Sequence, residues 1–229
     1  MTQLCYMCDR QKTSREHVPP QCFFPEKKDL PEGEDYRRDL ITVPSCDLHN
    51  SSAKSEDDLY LLAVIVAYYR NNSVAQKHFS TKMMRAIAKT PWLIEAYSKF
   101  SIVSVGSVGL PAFDIDRQRI IKSLTCVVNG IHFHHNRERW SHYITICAEP
   151  LTHMDGPEPQ ERVDVMRSFH ILSKLHLDNQ PRLGANQDVF YYQIWRDDSG
   201  ECFQVRMAFY RGFIVHAFSS KPGWTPPQV

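Results

Sequence analysis

Apolar residues follow helical spacing through the middle of the chain. The run from Leu59 to Tyr69 is almost continuously apolar and follows Asp57-Asp58, a pattern typical of a buried core helix with acidic residues at its N-terminus. From about Val74 to Lys89 the spacing of apolar and basic residues predicts an amphipathic, basic helix. Pro91 then begins another short predicted helix, over Trp92 to Phe100.

The second half of the chain is expected to be richer in strands. Ser101 to Ala112 alternates apolar with small residues, which favours a strand or an extended loop. Arg117 to Asn129 has helical spacing, and Gly130 is expected to end that helix. A further helix is predicted at about Glu161 to Leu175. The remaining segments, separated by turn signals, predict an antiparallel meander: Tyr143 to Cys147, Val189 to Trp195, Cys202 to Tyr210 and Phe213 to Phe218.

The N-terminal part has two short strand candidates and the start of a helix. Ser14 to Pro20 is expected to be a strand that breaks at its two prolines, and Asp39 to Pro44 is a second short strand. Cys46 to Asp58 is expected to begin a helix, with His49 and Asn50 on its first turns. We therefore predict an α+β protein with an N-terminal module over residues 1–58. An accessory region would follow over 59–229, helical to about 129 and strand-rich from about 130 to 220.

Charge is balanced overall but not locally. The formal net charge is +1, while residues 70–100 carry six basic side chains against one acidic side chain, Glu95. This surplus could contact phosphates, and a solvated helix face is the alternative. The candidates for nucleic-acid contacts, including one lysine outside this segment, are Lys54, Lys77, Lys82, Arg85 and Lys89.

The number of cysteines and the hydropathy of the chain indicate the cellular compartment. The chain has seven cysteines, an odd number, and its first residues do not form a basic segment followed by an apolar one. A disulfide framework is therefore not expected, and we predict a reduced, cytoplasmic protein. The longest apolar run is too short to span a bilayer, so no membrane partner is expected.

Two pairs of candidate metal ligands frame the N-terminal module. Cys5 and Cys8 are separated by two residues, and Cys46 and His49 repeat that spacing. Three thiolates and one imidazole in two such pairs predict a closed tetrahedral zinc site. The alternative is two unrelated buried pairs. Between the two pairs lie an acidic residue and a histidine, Glu16-His17, followed by Val-Pro-Pro.

This ordered set resembles the HNH endonucleases, which are built on the ββα-metal fold; the resemblance covers about the first sixty residues. It implies that Cys5, Cys8, Cys46 and His49 hold a structural zinc. It further implies that His17 is the general base, and that Glu16 and Asn50 hold a catalytic Mg²⁺ or Mn²⁺. Asp39 stands where the family has an asparagine that orients the histidine. Glu16 replaces the family's usual aspartate, Asp39 its asparagine and His49 its commoner fourth cysteine.

The resemblance implies hydrolysis of phosphodiester bonds in DNA, with RNA left open. One alternative is a zinc-stabilised binding module whose nuclease site is weak or dormant. Another is an effector of bacterial anti-phage defence whose cutting is controlled by a partner such as an ATPase. His132, His134 and His135 invite a second metal site, in which His132 and His134 would share one face of a strand, but the neighbouring sequence offers no fourth ligand.

Overall fold

Helices and strands are mixed along the chain, which confirms the α+β class. The computed structural model describes residues 3–68, 72–98, 100–105, 108–113, 115–151 and 159–223. The strands are β1 (Ser14–Val18), β2 (Ile41–Ser45), β3 (Phe100–Val105), β4 (Val108–Phe113), β5 (Thr145–Ala148), β6 (Phe190–Arg196), β7 (Cys202–Phe209) and β8 (Phe213–Ser220). The helices are α1 (Ser52–Tyr68), α2 (Ser73–His78), α3 (Met84–Lys89), α4 (Pro91–Ser98), α5 (Arg117–Asn136) and α6 (Gln160–His176), and a π-helical turn, Phe79–Met83, joins α2 to α3.

The first two strands and the first helix follow one another as β1, β2 and α1. β1 pairs antiparallel with β2, with Glu16 opposite Val43 and His17 opposite Thr42. α1 begins at Ser52, which is later than the start predicted at Cys46. His49 and Asn50 therefore lie in the turn before the helix rather than on its first turns, because the chain must still bend back from β2 at that point. Asp57 and Asp58 lie inside α1, so the prediction that they stand at its N-terminus is wrong. The predicted boundary after residue 58 falls inside α1.

One hydrophobic core joins the N-terminal strands to the helices behind them. α1 contributes its fully buried Leu61, Leu62 and Ile65, as expected for a core helix, and it packs along α5. α5 also contacts β1 and β2, and the buried Val18 and Val43 of those strands belong to the same core. The N-terminal module is thus packed against α5 by apolar side chains.

α5 continues six residues beyond Gly130, to Asn136, so the prediction that this glycine ends the helix is wrong. Gly130 serves a different purpose, because it lets α5 approach β1 closely. A Cβ at this position would lie 2.5 Å from Cγ2 and 2.9 Å from Cγ1 of Val18. Since Val18 is β-branched and buried on its strand, its side chain has little freedom to move away.

Gly130→Ala is therefore expected to destabilise the fold. The clash should cost about 1–3 kcal/mol, more than the gain in helix propensity of about 1 kcal/mol. In a Val18→Ala background both Cγ atoms are gone and only the Cβ of residue 18, 3.3 Å away, stays close, so the same change should cost less than in the wild type. Urea unfolding of the four members of this cycle measures both effects, and an equal loss in the two backgrounds would contradict the close-packing explanation.

The C-terminal strands form a four-stranded antiparallel sheet in the order β5-β8-β7-β6. β6, β7 and β8 are sequential neighbours, which confirms the predicted meander, and β5 is added beside β8. α6 packs on this sheet, where Met166 and Phe169 join Cys147 in a small second apolar cluster. β3 and β4 pair as a separate two-stranded antiparallel sheet over the stretch predicted as strand or loop.

The described helices differ from membrane-spanning helices in length or in apolar character. None of them, within the ranges given above, combines the length and apolar character needed to cross a membrane.

Candidate functional site

Four side chains from three chain segments meet beside the end of β2. Cys5 and Cys8 lie in an N-terminal knuckle, Cys46 follows β2 directly, and His49 lies in the turn before α1. The Nδ1 atom of His49 lies 3.6, 3.5 and 3.4 Å from the sulfurs of Cys5, Cys8 and Cys46, and the sulfurs of Cys8 and Cys46 are 3.7 Å apart. The four ligand atoms all lie within 4.8 Å of one another, so this quartet could hold a metal ion.

The backbone shapes the quartet from both sides. The N–H of Tyr6 donates to the carbonyl of Pro44 at 2.8 Å, which fixes the knuckle against β2. The N–H of Met7 donates to the sulfur of Cys5 at 3.4 Å. Burial opposes ionisation of the Cys46 thiol, yet N–H groups of the following turn hold its pKa below the usual value. Such N–H contacts favour negative sulfur, the form in which cysteine binds metals, although burial outweighs them at Cys5 and raises the pKa of its thiol.

Glu16 lies in a buried ion pair. Its side chain is 9% exposed, and its Oε1 accepts a hydrogen bond from Nζ of Lys54 at 2.9 Å. Nζ of Lys54 also donates to Oδ2 of Asp58 at 2.5 Å, and the hydroxyl of Ser123 donates to Oδ1 of Asp58 at 2.5 Å. Lys54 is thus neither solvated nor open to a phosphate, the two states expected from sequence, because Glu16 and Asp58 enclose it.

Burial and neighbouring charges shift the pKa values of Lys54 and Glu16 in this ion pair. Burial would lower the pKa of Lys54, but the charges of Asp58 and Glu16 raise it above its usual value. Burial also raises the pKa of Glu16, and Lys54 offsets only part of that effect. Two carboxylates therefore share one ammonium group in a site from which water is largely excluded.

His17 has a different environment from its neighbour in sequence. Successive residues of a strand point to opposite faces, and His17 is partly exposed where Glu16 is buried. Burial, followed by the charges of Arg37 and Arg15, lowers the pKa of His17, so its imidazole is neutral near pH 7. Glu16 and His17 both border a narrow cleft whose other lining residues are Tyr6, Val18, Pro20, Lys54, Cys126 and Val127.

Asn50 and Asp39, the other two predicted site residues, differ in their contacts. Nδ2 of Asn50 donates to Oγ of Ser14 at 3.0 Å, which ties the turn before α1 to the start of β1. Asp39 is exposed and has a left-handed backbone, with φ of 51°, just before β2. Among the hydrogen bonds of the described residues, none joins Asp39 to His17.

The predicted nucleic-acid contacts divide into two groups. Arg85 donates to Asp29 at 2.7–2.8 Å and to Glu26 at 2.9 Å, and Nζ of Lys82 donates to the carbonyl of Cys22 at 3.3 Å. These two side chains fasten the helical segment to the loop before β2. Lys77 and Lys89 are exposed. Arg70 and Lys99, counted in the basic segment, lie outside the described residues.

The histidines at 132, 134 and 135 lie on α5, so the prediction that they share a strand is wrong. His132 is fully buried against Trp140 and Phe203, and burial lowers its pKa to about 4. A different histidine cluster was missed by sequence reasoning. Glu149, His170 and His216 converge in the C-terminal region, but their wide and irregular spacing gives no motif that could have found them.

No family model, curated protein or solved structure matches this chain.

Proposed function

We propose that the quartet of Cys5, Cys8, Cys46 and His49 binds a structural zinc ion. Three thiolates and one imidazole are a preferred donor set of tetrahedral zinc. Bond lengths of about 2.3 Å to sulfur and 2.0–2.1 Å to nitrogen imply ligand separations of about 3.8 Å between sulfurs and 3.6 Å between sulfur and nitrogen. The observed separations of 3.4–3.7 Å match a tetrahedron of this size.

We further propose that the N-terminal module is an HNH-type endonuclease that hydrolyses phosphodiester bonds in DNA, with His17 as general base. The observation that carries the proposal is the position of His17, a neutral and partly exposed imidazole in a cleft. The β1-β2-α1 unit that presents it is fastened by the metal quartet. A neutral imidazole can accept a proton from an attacking water near pH 7.

The residues fit a catalytic divalent ion only in part. An ion such as Mg²⁺ would stabilise the developing charge on the phosphate and the leaving oxygen. Asn50, bonded to Ser14 through its nitrogen, could offer its oxygen to such an ion. Glu16 is bonded to Lys54 instead, and a metal would have to displace that ammonium group. The proposal therefore depends on His17 and not on an assigned metal geometry.

Cleavage of supercoiled plasmid in Mg²⁺ or Mn²⁺ tests this function. We expect the wild-type chain to cut and His17→Ala to lose at least about 100-fold in rate, because loss of a general base typically costs 10²–10⁴-fold. Added imidazole should restore part of the rate, an effect that a purely structural histidine would not show.

His134→Ala is the matched control, since His134 is another partly exposed histidine and lies on α5. Each protein is checked for metal content and thermal stability before the assay. Equal cutting by wild type and His17→Ala would exclude His17 as the base. Cutting lost equally in both histidine variants would point to a general defect.

The alternative is a binding module with a dormant nuclease site, and the Glu16–Lys54 pair favours it because a proposed metal ligand is already neutralised. This alternative predicts DNA binding without cleavage by the purified chain. A partner-controlled effector of anti-phage defence predicts the same inactivity alone, but cleavage once the partner, such as an ATPase, is added. Binding and cleavage assays on the same preparation separate these cases.

A further inference from the structure

Three potential metal ligands meet where α6 packs on the C-terminal sheet. His216 lies on β8, Glu149 follows β5 directly, and His170 lies on α6. The Nε2 atoms of both histidines face the same carboxylate oxygen, Oε1 of Glu149, at 2.6 Å for His216 and 3.2 Å for His170. Their ligand atoms all lie within 4.8 Å of one another.

Neighbouring side chains hold the buried imidazole of His216 in this orientation. Its Nδ1 is 2.9 Å from Oγ of Ser173, and that hydroxyl accepts a hydrogen bond from Nε2 of the buried Gln204 at 3.3 Å. The ring of Phe169 stacks on His216, with centroids 5.8 Å apart. One nitrogen is therefore engaged inside the protein and the other is presented to Glu149, the arrangement that supports metal-binding histidines.

Glu149, His216 and Ser173 are hydrogen-bonded in the same sequence as the acid, histidine and serine of a hydrolytic triad. Their exposure does not fit such a triad, in which the serine is accessible and the acid is buried. Ser173 is 3% exposed, so a substrate carbonyl could not reach its oxygen. The Glu149 side chain, which would orient the histidine from inside in such a triad, is 36% exposed. The open side of the cluster is therefore the side where the carboxylate and His170 lie.

The pair between Glu149 and His216 uses one imidazole, and the second imidazole faces the same oxygen. Two neutral rings can each donate one N–H to that oxygen, and one divalent cation in place of those two protons can bind both nitrogen lone pairs and the oxygen. Metal bonds of about 2.1 Å place neighbouring ligand atoms about 3.0–3.4 Å apart. The Glu149–His170 distance of 3.2 Å already fits, and the partly exposed Glu149 can move away from His216.

We propose that Glu149, His170 and His216 form a second metal site for a divalent transition ion such as Zn²⁺. Two imidazoles and one carboxylate suit this class of ion better than Mg²⁺ or Ca²⁺, which prefer oxygen ligands. Three protein ligands at a partly exposed position leave room for water or a small anion. Ser173 is a positioning residue that acts through Nδ1 of His216.

Co²⁺ loading of the full-length chain tests the site without relying on nuclease activity. Metal-stripped protein is titrated with Co²⁺, while bound metal and the visible spectrum are measured together. The cysteine quartet should give strong thiolate charge-transfer bands, and the second site, which has nitrogen and oxygen ligands, only weak bands. We expect two ions per wild-type chain.

His170→Ala and Glu149→Gln should each bind one Co²⁺ and keep the full thiolate bands, which also report that the fold is intact. Ser173→Ala should weaken the second site about 10- to 100-fold. His134→Ala should bind two ions. One ion per wild-type chain, two ions in both ligand variants, or the same loss in His134→Ala would each overturn the proposal.

Discussion

Replacing Cys8 by serine is expected to release the metal of the quartet and to unfold the N-terminal module. The knuckle meets β2 through few backbone hydrogen bonds, and the proposed ion would cross-link the knuckle, the end of β2 and the turn before α1. Structural zinc contributes about 10–16 kcal/mol in isolated zinc-finger peptides. The loss here should be smaller because Val18 and Val43 also pack in the common core, and we expect the melting temperature to fall by about 10 °C or more.

Cys22→Ser is the matched control, because Cys22 is partly exposed like Cys8 but lies outside the quartet. It should keep its metal and melt close to wild type. A chelator that removes zinc from the wild-type chain should reproduce the Cys8→Ser result. Hydrogen exchange should show the lost protection in β1 and β2 rather than in the C-terminal sheet. An unchanged melting temperature after complete metal removal would rule out a structural role for the ion.

Features set by local periodicity could be predicted from the sequence. The apolar run after Asp57-Asp58 is a core helix, and the alternating segments around Asp197-Asp198-Ser199-Gly200 form β6 and β7. The quartet could also be predicted, because metal spacing is a local pattern. The predicted end of α5 at Gly130 is wrong because the role of this glycine depends on Val18, more than a hundred residues away in sequence.

The pairing of charged side chains could not be predicted in the same way. Lys54 and Glu16 are 38 residues apart, and only the packing of α1 against β1 brings them together. The sequence predicts Lys54 as a phosphate contact or a solvated side chain and Glu16 as a metal ligand, but it does not pair the two. Glu149, His170 and His216 illustrate the same limit, since they come from a turn, a helix and a strand.

Lys54→Met is expected to cost about 3–5 kcal/mol of folding free energy at neutral pH, because it removes one partner of a buried ion pair. Methionine keeps the apolar stem of the side chain but lacks the ammonium group, so Glu16 and Asp58 remain buried without their shared cation. Urea unfolding measures the loss. Lys77→Met, at an exposed lysine of α2, is the control and should change stability by less than about 0.5 kcal/mol.

The destabilisation by Lys54→Met should decrease as the pH falls. Burial already raises the pKa of Glu16 and Asp58, and without Lys54 nothing equivalent opposes that effect. A carboxyl group with a raised pKa binds a proton more readily in the folded chain than in the unfolded chain, so folding is favoured as the pH falls through that pKa. The loss should be smaller at pH 5 than at pH 7.5, and a pH-independent loss would show that the charges of these carboxylates are not its cause.

The same variant tests whether Glu16 can bind a divalent ion. Removing the ammonium group frees the carboxylate oxygen that Lys54 occupies in the wild type. If Glu16 and Asn50 then bind Mn²⁺, the ion should stabilise Lys54→Met by about 2.7 kcal/mol at a hundredfold excess over its dissociation constant. A Lys54→Met/Glu16→Gln chain should lose that response. Stabilisation of the same size in the double variant would exclude Glu16 as a ligand.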